Sequence, residues 1–407
     1  EWCPTRFFMR IKGHENLENK KVAIVCDWLT NYAGAERVIS AVSELFPKAP
    51  IFTTVYNKGK MREFGNREVC ESFIGKLPFA RRLHQLYISL MPYAFEAMDL
   101  SEYDLVISSS HACAKGIITG TSTVHVCYCH SPIRYLWDGC HEYVKNYGWY
   151  RWPFAGYIDR QLSKLRVWDR IASARPDHYL ANSHFVAERI RKYYGRESTV
   201  IHPPVTAKRS GAVEPFPDQV ATTSQSSSEA IFPPVTSTSP KKRAYYLAVG
   251  RLIPYKRFDL LVDAFNKLSL PLYIVGEGKE FARLKEMAGP NITFLGFVSE
   301  TELGELYAGA KAFLFPQCED FGIAPLEAMA HGTPVIAYKK GGAVETVKDG
   351  VNGMFFEDQT VESVVGTVRE FEKKHHFDPE KVRASVEKFS KERFQRELSE
   401  FLTDVMK

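Results

Sequence analysis

The chain has 407 residues, 45% hydrophobic and 25% charged, and single cores rarely grow past about 250–300 residues, so two domains are expected. No apolar run approaches the roughly 20 residues that cross a bilayer, which argues against an integral membrane protein. Eight cysteines are too sparse for a disulfide scaffold and suit buried thiols in a reducing compartment.

The net charge of +5 is uneven. Residues 1–205 carry 27 basic against 20 acidic side chains, residues 206–243 carry 5 against 3, and residues 244–407 carry 21 against 25. Residues 1–20 hold no apolar stretch long enough for a signal-peptide core. The expectation is a cytoplasmic protein. In KNYGWYRWPF (145–154), Trp149 and Trp152 stand among Lys145 and Arg151, a composition that suits peripheral contact with an anionic membrane face. A solvated basic face with core aromatics is the simpler reading.

In chain order, KVAIVCDWL (21–29) predicts a strand, and AERVISAVSELF (35–46) after the turn at Gly34 predicts a helix. Further strands are expected at APIFTTVY (49–56), DLVISSS (104–110), VHVCYCH (124–130) and HYLANS (178–183). Continuous apolar strands alternating with helices predict a parallel sheet covered on both faces. Residues 206–243, rich in Ser, Thr and Pro, cannot bury enough apolar surface to form a core and read as an exposed linker. Within them FPPVTS (232–237) echoes HPPVTA (202–207), for which chance is a sufficient explanation.

A second strand series follows at AYYLAVGRL (244–252), LYIVGEG (272–278), ITFLGFV (292–298), AFLFPQ (312–317), TPVIAY (333–338) and GMFFE (353–357). Helical patterns at 258–268, 302–310 and 324–332 separate them. The last stretch, 389–407, is amphipathic and must bury Phe389, Phe394, Leu398, Phe401 and Leu402 either on its own domain or on the first one. The boundaries are therefore 1–205, 206–243, 244–388 and 389–407.

In open parallel sheets ligands bind beyond the carboxyl ends of the strands. After the first strand of the second series, VGRLIPYKR sets Arg251 and Lys256 five apart, cations able to meet a phosphate without a metal. Gly276 and Gly278 follow another strand and permit close backbone approach, but the third glycine of a dinucleotide fingerprint is missing. In CEDFGIAP, Glu319 lies in a loop, while Pro325 suits a first helical turn and leaves Glu327 able to cap it. Carboxylates there suit neutral hydroxyls, as in ribose or another sugar. In the first half Gly34 opens a helix, and His111 and His130 follow two strands and could face one cleft, which makes them, with Glu319, the catalytic candidates. Cys127, Cys129, His130, Cys140 and His141 fit no familiar zinc spacing.

EDFGIAPLE, the segment EAMAHGTPVIAYKKGGAVETVKDGVNGMFF, VGRLIPYKR, ANSHFVAERI and VIHPPV together resemble retaining glycosyltransferases of the GT4 type. The resemblance implies the GT-B fold, an α/β architecture of two doubly wound Rossmann-like domains facing a central cleft. It implies that Arg251 and Lys256 bind the donor pyrophosphate, Glu327 the ribose, and Glu319 the transferred sugar. It places the backbone at Phe321, Gly322 and Ile323 by the sugar, Phe297 and Val298 by the base, His111 near the donor sugar, and Gly34 in the glycine loop. Two features depart from the pattern: that loop reads Ala33-Gly34 in place of Gly-Gly, and the linker is long.

CDWLTNYAGAERV with SSSHACAKG and YCHSPIRYLWD is similar to bacterial mannosyltransferases that build O-antigen or exopolysaccharide. That likeness implies GDP-mannose as donor, with UDP-sugars next, no cofactor or metal, and a lipid-linked or oligosaccharide acceptor. The rivals are a noncatalytic nucleotide-sugar or carbohydrate-binding subunit and a nucleic-acid binder. No basic-aromatic array supports the last.

Overall fold

A computed structural model describes residues 17, 19–141, 155–205, 243–374 and 376–407. The aromatic stretch at 145–154, most of the 206–243 linker with its PPVT echo, and nearly all of residues 1–20 lie outside the described residues.

Thirteen strands among the described residues form two all-parallel sheets. The first contains β1 (Val22–Cys26), β2 (Ile51–Thr53), β3 (Val69–Glu71), β4 (Leu105–Ser110), β5 (Val124–Cys129), β6 (His178–Ala181) and β7 (Thr199–Val200), in the order β3-β2-β1-β4-β5-β6-β7. The second contains β8 (Tyr245–Val249), β9 (Leu272–Val275), β10 (Ile292–Gly296), β11 (Ala310–Phe315), β12 (Val335–Tyr338) and β13 (Gly353–Phe356), in the order β10-β9-β8-β11-β12-β13. The strand order reverses between β1 and β4 in one sheet and between β8 and β11 in the other. These two switch points are where a doubly wound sheet opens a crevice.

The central strands are apolar on both faces because helices cover both: β1 is buried at every position and β4 likewise. Eleven strands fall on the runs expected from sequence. β3 and β7 were not expected: neither buries a residue fully, so no apolar run marks them. The helix Phe258–Leu268 coincides with its sequence pattern, burying Phe258, Leu261, Val262 and Phe265 on the second sheet.

The last helix, Lys391–Val405, crosses to the first sheet. Phe394, Leu398 and Leu402 are fully buried in the core built by Ile24, Val38, Val42 and Tyr128. Each such side chain is worth about 1.5–3 kcal/mol of burial. Gln395 Nε2 also donates to the carbonyl of Ala41, 3.0 Å away, inside the helix Gly34–Leu45. The chain that ends the second unit is thereby fastened to the helix that opens the first unit's cleft wall.

Candidate functional site

Each switch point carries its own polar cluster. At the β8/β11 crevice, Lys256 from the turn after β8 reaches Glu319 from the loop after β11, and the two form an ion pair. Burial, helped by the Arg134 and Arg251 guanidiniums, pushes the Lys256 ammonium down to about 7. Arg251 stays exposed with no ion pair among the described residues. The Arg134 guanidinium lies 5.7 Å from the Tyr255 ring centroid. Three cations and two carboxylates, Glu319 and the Asp320 that holds Arg134, thus converge on the mouth of the second sheet.

The loop carrying Glu319 is held from behind. Gly342 N–H donates to the Glu319 carbonyl at 2.9 Å. Gly322, at φ 85°, takes the left-handed turn that starts the helix Ile323–Ala330. Glu327 is the fifth residue of that helix, so it does not cap it, contrary to the sequence expectation. Its carboxylate instead pairs with Arg37 of the opposite domain at 2.6 Å and accepts from Tyr307 Oη at 3.1 Å.

The remaining donor-side expectations are scattered. Phe297 is 84% exposed and Val298 partly buried, at the loop beyond β10. Gly276 lies at the end of β9, where a Cβ would stand 2.0 Å from the carbonyl oxygen of Gly250. Its close approach is to the neighbouring strand end. Phe321 is buried and stacks on His202 at 5.4 Å, and Ile323 reaches across the cleft. A Cβ on Gly34 would sit 2.7 Å from Ile323 Cδ1, so a larger residue there would have to displace the tip of the other domain's side chain.

At the β1/β4 crevice the organiser is Asp27, immediately after β1. Its buried carboxylate accepts from the backbone N–H groups of His111 (2.7 Å), Ala112 (2.9 Å), Cys113 (2.6 Å) and Ala114 (2.7 Å). It also lies 3.2 Å from His111 Nδ1. One side chain therefore shapes the whole turn after β4 and orients His111. Trp28 presses its edge on the His111 ring with centroids 4.6 Å apart. His130 lies 6.3 Å from His111 between ring centroids, and its Nε2 is bound to Ser109 Oγ at 2.8 Å. Burial, with the nearby His111, pushes His130 down to about 3, so the ring is neutral in ordinary buffers. His130 buttresses His111 from within the sheet.

The two domains are closed on one another by charge. Asp320, next to Glu319, binds Arg134 (Nε 3.0 Å, Nη2 2.9 Å) and Arg189 (2.8 Å) of the first domain, and its carbonyl accepts from Ser183 Oγ at 2.5 Å. Glu345 accepts from the N–H groups of His184 (2.9 Å) and Phe185 (3.1 Å) and pairs with His202 at 3.0 Å. Burial acts against the charged Glu345, but these donors outweigh it and lower its pKa.

Asp27, Arg37, Arg134, Arg189, Tyr307 and Asp320 escaped the sequence reading. Asp27 had a signal, a carboxylate closing an otherwise apolar strand run. Cys127 and Cys129 are buried free thiols, pushed by burial to about 12 and well above the usual range respectively. No metal-binding group of three or more His, Cys, Asp or Glu occurs among the described residues.

Two family models match the chain: Glycosyltransferase Family 4 over residues 32–209 and Glycosyl transferases group 1 over residues 234–393. An uncharacterised glycosyltransferase of Methanocaldococcus jannaschii is 35% identical over 128 residues, 29% of this chain and 33% of the relative. A GDP-mannose-dependent alpha-mannosyltransferase of Corynebacterium glutamicum is 36% identical over 110 residues, 27% of this chain and 26% of the relative. The matched stretches thus span about a third or less of these curated relatives. The solved structure of Anabaena HepE with UDP-glucose has a TM-score of 0.64 at 17% identity, covering 94% of this chain and 99% of that one. Sucrose-phosphate synthase from Thermosynechococcus elongatus has a TM-score of 0.65 at 16% identity, covering 94% and 98%. At such identities the likeness concerns the fold.

Proposed function

This chain belongs to the GT4-type glycosyltransferases with the GT-B fold, and on that premise we propose that it moves a hexose from a nucleotide diphosphate sugar to a hydroxyl of a lipid-linked or polysaccharide acceptor. The observation that carries the reading is the β8/β11 switch point, where Arg251 and Lys256 converge beside Glu319, while Ile323 of the same wall meets Gly34 of the opposite domain. Mannose from GDP-mannose is the preferred donor, supported by the relatives named for that donor.

In this reading the bond between the anomeric carbon and the phosphate oxygen breaks, and its electron pair leaves with the diphosphate. Arg251 and Lys256 bind that growing charge, which makes a divalent metal unnecessary for leaving-group stabilisation. The acceptor oxygen bonds the anomeric carbon on the face that the diphosphate leaves. Its proton passes to the departing phosphate oxygen, so configuration is retained. Glu319, released from Lys256 by the diphosphate, turns to the sugar hydroxyls. Glu327 receives the ribose hydroxyls, and the backbone at Phe321, Gly322 and Ile323 lines the sugar.

The test is a panel of GDP- and UDP-sugars with the full chain in a chelator, measuring nucleoside diphosphate release. GDP-mannose turnover is expected, lost in the Arg251→Ala/Lys256→Ala double variant. Consumption of no donor, with or without candidate acceptors, or full activity in the double variant, refutes the reading.

A further inference from the structure

One segment of the first domain is unlike the rest of the surface. Residues 72–95 contain Lys76, Arg81 and Arg82 and no acidic side chain. Between them large apolar groups face solvent: Phe79 is 76% exposed and Leu86 72%, with Phe73, Leu83, Leu90 and Tyr93 also exposed. Phe79 has φ 57°, in the left-handed region that a phenylalanine avoids. Exposed apolar side chains are ordinary when scattered, but a contiguous set on one segment marks a contact surface.

The inner side of the same segment lines a pocket of about 400 Å³ with Thr30, Asn31, Asn57, Lys60, Arg81, Arg82 and His84. The lining holds three cations, Lys60, Arg81 and Arg82, of which Arg81 also pairs with Glu71 just outside it at 3.7 Å. His84 is only 8% exposed, yet neither ring nitrogen has a hydrogen-bond partner. Burial and the nearby His111 push the His84 imidazole down to about 4, so the ring is neutral and brings one N–H donor without a partner in the structure. His84 lies tilted over Trp28 with ring centroids 4.6 Å apart, and Trp28 meets His111 edge-to-face at 4.6 Å, so the pocket adjoins the candidate reaction centre.

We propose that residues 73–93 are a membrane-docking ledge, with Phe79, Leu83, Leu86 and Leu90 entering an anionic bilayer while Lys60, Arg81, Arg82 and His84 bind a lipid-borne phosphate in the pocket behind them. Apolar side chains interleaved with cations are complementary to an interface of acyl chains beneath phosphates. The pocket's place beside Trp28 and His111 sets a phosphate-bearing lipid where an acceptor would stand, and this second part rests on the glycosyltransferase reading. The docking itself does not.

The test is flotation of the full chain with vesicles of phosphatidylcholine alone and of phosphatidylcholine mixed with phosphatidylglycerol. Binding is expected to the mixed vesicles only. Arg81→Ala/Arg82→Ala should weaken it about 30-fold, on the order of fivefold for each cation near the surface. Phe79→Ser/Leu86→Ser should weaken it at least as much, with thermal midpoint and vesicle-free donor hydrolysis unchanged. Equal binding to neutral vesicles, or undiminished binding in either double variant, overturns the ledge. Glycerol phosphate in free solution competing as well as vesicle-borne phosphate overturns the bilayer as the source. Should no donor be consumed while mixed vesicles still bind, docking stands and the transferase reading falls.

Discussion

The two walls of the cleft use charge in opposite ways. On the β1/β4 wall, Asp27 has its acceptor capacity taken by four backbone N–H groups and a histidine, and His130 is neutral and bound to Ser109. On the β8/β11 wall, Lys256 and Glu319 hold one another, Glu327 is held by Arg37 across the cleft, and Arg251 faces solvent. A backbone-saturated carboxylate is architecture, because moving it strands several buried donors at once. Side-chain ion pairs at a cleft mouth can exchange partners when a ligand brings its own charge and hydroxyls. The first wall is a fixed template and the second a set of charges poised for redistribution.

Removing the fixed organiser should have the largest effect on the fold. Asp27→Ala leaves four backbone donors facing an apolar methyl, which should cost about 3–5 kcal/mol of stability. Urea unfolding followed by circular dichroism measures it. A loss below about 1 kcal/mol would show that the turn after β4 holds itself, and the contrast between the walls would collapse.

The exchangeable wall should respond in rate and affinity with little loss of stability. Glu319→Gln is expected to lower kcat about 10²-fold with a small change in KM, since its partner interaction with the sugar is proposed to form late. Glu327→Gln should raise the donor KM about tenfold and spare kcat, the signature of a ribose contact made equally in ground and transition states. Identical signatures for the two variants would mean that the glutamates act as one unit.

Much of this contrast was legible in the sequence. Strands registered where their runs were apolar, most plainly β1, β4 and β5, because both faces of a parallel sheet are covered, and so did the residues following β8 and β11, because strand ends locate the crevice. What did not register was pairing over long separations. Arg134 and Arg189 lie 186 and 131 residues from Asp320, and no periodicity links a cation in one domain to a carboxylate in another. Glu327 was misplaced as a cap because the proline at 325 suggested a later helix start. The helix begins at Ile323, where the left-handed Gly322 turns the chain.

The smallest effect expected is a pH dependence, and it sharpens the contrast because only the exchangeable wall should show it. Lys256 is pushed down to about 7 by burial and by Arg134 and Arg251, so the donor-free protein loses this charge as pH rises through that value. A diphosphate at the site favours the ammonium, and binding therefore raises the pKa and takes up a proton above pH about 7. Donor affinity should be greatest below about 7 and fall as pH rises, by at most about tenfold per unit until the pKa of the bound state is reached. Titration calorimetry in buffers of different ionisation enthalpy measures both the affinity and the proton uptake. In Lys256→Arg the slope should vanish, since a guanidinium stays charged throughout the range. A flat affinity in the wild type would mean that Lys256 keeps its proton through its contact with Glu319. The diphosphate would then have to compete with a permanent ion pair, and the Lys256–Glu319 contact would belong with the fixed architecture of the opposite wall.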